Sequence, residues 1–104
     1  MSKPRLETLK ELLAQNPDDS FIRYGVAMEH LREGDYAPAV EEFRELLKRN
    51  PEYVAAYYHC GQALEKLGDL EGARSVYESG IALCTRTGDL HTRSELQTAL
   101  DLLG

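Results

Sequence analysis

The sequence predicts an all-α chain: one domain of about six helices, stacked as antiparallel pairs. Three observations carry this: an internal repeat at a fixed offset, helix-stopping dipeptides at its joints, and helix-spaced apolar residues between the joints. Residues 4–17 and 38–51 share the pattern P-x-x-E-x-x-x-E-L-L-x-x-N-P, matching at Pro4/Pro38, Glu7/Glu41, Glu11/Glu45, Leu12/Leu46, Leu13/Leu47, Asn16/Asn50 and Pro17/Pro51, always 34 residues apart. The same offset relates Tyr24 to Tyr58, Gly34 to Gly68, Asp35 to Asp69 and Ala39 to Ala73. A period of this length marks a unit that cannot bury its apolar face alone and must stack on its neighbours.

The helices fall near residues 3–15, 20–33, 36–49, 54–67, 70–84 and 89–103. The first carries Leu6, Leu9, Leu12 and Leu13 at helical spacing, with Pro4 tolerated in its first turn. Asn16-Pro17 ends it, because the residue before proline is pushed out of the α region and proline cannot donate to the preceding turn. The second helix stops at Gly34-Asp35: Gly supplies the left-handed residue past the helix end, and Asp accepts from free N–H groups of the next first turn. The third, with Ala39, Val40, Phe43, Leu46 and Leu47, stops at Asn50-Pro51, and the fourth stops at Gly68-Asp69. The fifth carries Leu70, Ala73, Val76, Tyr77, Gly80 and Ile81; the sixth has Leu90, Leu96, Ala99, Leu100 and Leu103 on one side. No segment reads as a strand.

Composition narrows the function. A 104-residue chain suffices for one core that removes ~65% of the unfolded surface from water. With 42% apolar and 29% charged residues it is neither a disordered chain nor one holding a membrane span of ~20 apolar residues. Met1-Ser2-Lys3-Pro4-Arg5 leads into an amphipathic segment without the apolar core of a signal peptide, so a cytoplasmic location is expected. The net charge of −6 is spread along the chain and no stretch is basic, which argues against nucleic-acid binding. Cys60 and Cys84 form no C-x-x-C and read as free thiols.

Chemistry has few candidates. No phosphate-binding loop, H-E-x-x-H or G-x-S-x-G is present. His30, His59 and His91 lie on three different predicted helices, each with no close-spaced second ligand, and read as satisfied or solvated histidines. Glu41, Glu42 and Glu45 read as a solvated face beside Arg44, Lys48 and Arg49. The expectation is therefore a non-enzyme, with no catalytic residue, metal or cofactor.

The 34-residue helix–turn–helix period resembles the tetratricopeptide repeat, whose pattern runs W-x2-L-G-x2-Y, then A-x3-F, then P. Residues 54–87 match through Tyr57, Cys60, Gly61, Leu64, Ala73 and Tyr77, with Thr85 where proline is usual. Residues 20–53 match through Ala39, Phe43 and Pro51, while their first helix departs, placing Arg23, Val26, Ala27 and His30 at the four pattern positions. The resemblance implies a right-handed stack in which 1–19 is a half-repeat, 20–53 and 54–87 are full repeats, and 88–104 is a capping helix. It also implies a core-facing Cys60, close helix approach at Ala27/Gly61 and Ala39/Ala73, and Phe43 and Tyr77 filling the space between repeats.

In this family the first helices of successive repeats line a concave groove. The groove positions here are Phe21, Tyr24, Met28 and Leu31, then Ala55, Tyr58, Gln62 and Glu65, with His59 and Arg93 nearby. Three readings of this stripe stay open: core, an exposed groove for a peptide or partner helix, or a homodimer seam formed by the apolar first-repeat helix. Members that hold a terminal carboxylate use Lys, Asn, Asn, Lys and Arg, where this chain has Tyr24, Met28, His59, Asp89 and Arg93, which argues against such a clamp. The resemblance thus implies a protein-interaction module, a monomer taking an apolar or aromatic segment, with basic neighbours favoured by the negative field.

Overall fold

The computed structural model describes residues 3–104; Met1 and Ser2, where the leader reading begins, lie outside them. The described residues form α1 (Lys3–Gln15), α2 (Ser20–Arg32), α3 (Tyr36–Arg49), α4 (Val54–Lys66), α5 (Leu70–Thr87) and α6 (Leu90–Leu102), with no strand among them. Each helix packs on the next in the chain, and α2 also meets α4, so α2 and α4 share one face of the stack.

The turns form as the sequence requires. Gly34 and Gly68 have φ of +80° and +82°, the left-handed region that side chains with a Cβ disfavour. The following N–H groups fold back onto the helix ends, Asp35 N–H to the His30 carbonyl and Asp69 N–H to the Leu64 carbonyl, both at 2.9 Å. Asp19, Asp69 and Asp89 accept from the N–H of Ile22, Gly72 and Thr92, three residues on. Asp35 departs from expectation and caps nothing. Three residues beyond it stands Pro38, which has no N–H to offer.

The fifth helix runs past its expected end at residue 84 to Thr87. Where α1 and α3 meet Asn-Pro, α5 has Cys84-Thr85, which stops nothing, and the helix continues until Gly88 turns left-handed at φ +80°. This extension shifts α6 out of the 34-residue register. Leu96 and Ala99, the echoes of Gln62 and Glu65, are buried against the core.

The core runs along the stack between the helix pairs. Phe43 and Tyr77 are fully buried at equivalent places, as are Ala39 and Ala73. A Cβ built on Gly61 would lie 2.1 Å from Cε1 of Tyr77, so the absent side chain is what admits that ring. In α2 the four pattern positions all face inward. Val26, Ala27 and His30 are buried, and the Arg23 side chain, 11% exposed, pairs with Glu42 at 2.9 Å and donates to the Pro17 carbonyl. The second repeat fills the Arg23 place with Tyr57.

Two buried polar residues were not foreseen. Glu29, 2% exposed, sits where the second repeat has Ala63, and its carboxylate is met by Arg5 of α1 at 3.4 Å and Arg32 at 3.8 Å. His30 occupies the place of Leu64, and its Nδ1 is buried with no hydrogen-bond partner, so it is neither satisfied there nor solvated. The helical register that buries these positions in both repeats holds the two polar side chains inside. Leu90, expected on the inner side of α6, is exposed.

Candidate functional site

The 34-residue register sets Tyr24, Met28 and Leu31 of α2 beside Tyr58, Gln62 and Glu65 of α4, all half-buried. Tyr24 and Tyr58 each lean on the large ring of their own pair: Tyr24 to Phe43 at 6.2 Å between centroids, Tyr58 to Tyr77 at 6.4 Å. His59 joins the two groups. Its ring stacks on Phe43 at 6.4 Å and 18°, and lies 6.0 Å from Tyr24 and 5.4 Å from Tyr58. Burial disfavours its charged form and lowers its pKa, so the imidazole is neutral at pH 7.

Open clefts flank α4 on both sides, and two of them share its residues Tyr58 and Gln62. One, of about 320 Å³, is lined by Leu31, Tyr36, Tyr58, His59, Gln62 and Lys66. The other, of about 280 Å³, lies between α4 and α6 against Tyr58, Gln62, Glu65, Glu95, Thr98, Ala99 and Leu102. Tyr58 and Gln62 line both and form the ridge between them. A polar chain stands behind this ridge: Gln62 Nε2 donates to the Tyr77 hydroxyl at 2.8 Å, and that hydroxyl donates to Glu65 Oε2. Burial, then the hydrogen bond to Glu65, raises the Tyr77 pKa, so the hydroxyl keeps its proton.

Of the residues singled out in the sequence, Tyr24, Met28, Leu31, Tyr58, His59 and Gln62 come together on this face, but two stand apart. Phe21 is 75% exposed at the start of α2, outside the aromatic group. Arg93 lines a separate depression on α6 with Leu90, Ser94, Gln97 and Thr98, a consequence of the lost register after Cys84. Sequence reasoning missed Tyr53, 5.2 Å from the Tyr24 ring, and Tyr36 and Lys66 of the first cleft. It also missed Glu95, Thr98 and Leu102, whose spacing of three and four residues marks one face of α6.

The arrangement offers aromatic surface, amide and carboxylate groups, and no activated nucleophile. Cys60 is buried beneath the face, and burial pushes its thiol up to about 11. Among the described residues no three His, Cys, Asp or Glu side chains gather as for a metal, and no helix is long and apolar enough to cross a membrane.

The tetratricopeptide repeat family model matches residues 24–85. A TPR repeat-containing protein of Pseudomonas aeruginosa is 32% identical over 95 residues, covering 91% of this chain and 90% of that protein. The solution structure of a tetratricopeptide repeat domain protein from Salinibacter ruber superposes with a TM-score of 0.78 at 37% identity, covering 84% of this chain and 88% of that one. The type III secretion translocator chaperone SycD of Yersinia enterocolitica is similar in fold, with a TM-score of 0.87 at 15% identity, over 94% of this chain and 68% of that one.

Proposed function

Because the chain belongs to the tetratricopeptide repeat family, we propose that it is a non-catalytic protein-interaction module that holds an extended peptide across the face built by α2, α4 and α6. In this reading 20–53 and 54–87 are the full repeats, 1–19 a half-repeat and 88–104 the capping helix. The observation that carries it is Tyr58, a half-buried ring that lines both clefts. It packs against the rings of Tyr77 and His59, so a ligand meets a preformed aromatic wall and little ordering entropy is lost on binding. Met28 and Leu31 extend the apolar side, backed by the Tyr24 ring.

Self-association through α2 is the alternative, and Phe21 is the observation that favours it. Val26 and Ala27 of the same helix are already buried within one chain, which leaves little apolar surface for a seam. A stable dimer would need upwards of ~1,200 Å². The test is selection of binders from a random decapeptide display pool, followed by amide chemical-shift mapping and sedimentation of the free protein. The groove reading expects a monomer whose shifts cluster on Leu31, Tyr58, Gln62 and Thr98. Shifts confined to the outer faces of α3 and α5, or a wild-type dimer that Phe21→Ser splits, would contradict it.

A further inference from the structure

Resting on that reading, we propose that the two clefts beside α4 read two different side chains of one linear peptide: an apolar or aromatic residue between α2 and α4, and a Lys or Arg between α4 and α6, about three positions away. The first cleft has Leu31, Tyr36 and His59 opposite the Tyr58 ring, with Lys66 at its polar margin. A cation placed there would meet Lys66, so the basic residue is excluded from that side.

The second cleft has the opposite balance. Glu65 and Glu95 line it and no cationic side chain does. Glu65 gives Oε2 to the Tyr77 hydroxyl and keeps its other oxygen for a ligand. Glu95 is 57% exposed and lies 3.5 Å from His91 on the same helix. Ala99 and Leu102 supply apolar surface for the stem of a long basic side chain, and the Tyr58 ring lines the same cleft as an aromatic surface for the charged head. The Tyr77 hydroxyl acts here as a positioning group, holding Glu65 without touching the ligand.

The spacing follows from the ridge. Tyr58 and Gln62 belong to both clefts, so a peptide passing from one to the other crosses a single helix. A helix with its side chains is ~10 Å across and an extended chain advances ~3.3 Å per residue, so the two reading positions are about three residues apart. The first repeat has no equivalent acidic cleft, since Met28 and Leu31 stand where Gln62 and Glu65 do. The basic residue therefore has one place to bind, and the peptide one polarity across the stack.

The experiment is the decapeptide selection run in parallel on the wild type and on the Glu65→Gln/Glu95→Gln double variant, with melting curves for both. The expected wild-type pool carries an apolar or aromatic residue and a Lys or Arg two to four positions apart. The double variant, unchanged in melting, should keep the apolar preference, lose the basic one, and bind the best wild-type peptide about fivefold more weakly. A pool with apolar residues and no basic preference, or a basic preference that survives in the double variant, would overturn this inference and leave the groove reading standing. A pool with no enriched peptide would overturn both.

Discussion

The α2–α3 and α4–α5 pairs are one design built twice, and they differ where it matters for the face they share. In the first pair Ala27, Met28, Leu31 and Phe43 make a wholly apolar contact; in the second the same four places hold Gly61, Gln62, Glu65 and Tyr77. The changes belong together. Tyr77 brings a hydroxyl that Phe43 lacks, Gln62 and Glu65 receive it, and Gly61 removes the Cβ that its ring would strike. One repeat thus keeps a packing role at its groove edge, and in the other a polar network links the buried Tyr77 to Gln62 and Glu65 at the surface.

The largest test of that comparison is steric. Gly61→Ala should destabilise by about 3 kcal/mol through forced displacement of the Tyr77 ring, while Ala27→Gly should cost about 2 kcal/mol through helix propensity and a lost buried methyl, both read by urea unfolding. A neutral Gly61→Ala would mean the ring does not need that gap. Next is the hydroxyl exchange. Phe43→Tyr should cost about 2 kcal/mol, since its hydroxyl arrives against Met28 and Leu31 without a partner, and Tyr77→Phe about 1 kcal/mol. Equal costs would break the asymmetry.

Smaller again is the capping difference: Asp69→Ala should cost about 1 kcal/mol, and Asp35→Ala should stay within about 0.5 kcal/mol of wild type, because Asp35 makes no cap bond and Pro38 has no N–H where Gly72 gives Asp69 one. The smallest effect is in acid. His59 has a lowered pKa in the folded chain, so the unfolded chain binds its proton first and stability falls as pH drops below ~6.5. In denaturant titrations His59→Gln should flatten the acid limb between pH 7 and pH 5 relative to wild type, and parallel curves would contradict the burial of this imidazole.

Much of this was legible in the sequence because repetition makes it so. Asn-Pro and Gly-Asp marked the joints of α1 to α5, and the 34-residue echo placed Tyr24, Met28, Leu31, Tyr58 and Gln62 on one face. What escaped lies where the echo fails. After Cys84 no Asn-Pro follows, so α5 gains nearly a turn, and the residues of α6 that reach the second cleft became Glu95, Thr98 and Leu102, with Arg93 turned elsewhere. Glu29 escaped and His30 was misread because residue type suggested solvent while their register, shared with Ala63 and Leu64, dictated burial. Tyr36 and Tyr53 escaped because they sit at helix starts, outside the repeating stripe.

The central claim is that Tyr58 faces a ligand across both clefts while Tyr24 serves the packing behind it, against Phe43, Tyr53 and His59. The direct measurement is Tyr58→Ala, assayed for melting and for affinity toward a peptide selected on the wild type. The account predicts a melting temperature within about 5 °C of wild type and binding weakened by about 2 kcal/mol, the loss of an aromatic anchor at an interface. A loss of 3–5 kcal/mol in stability, as for a truncated core aromatic, with binding per folded molecule unchanged, would contradict it.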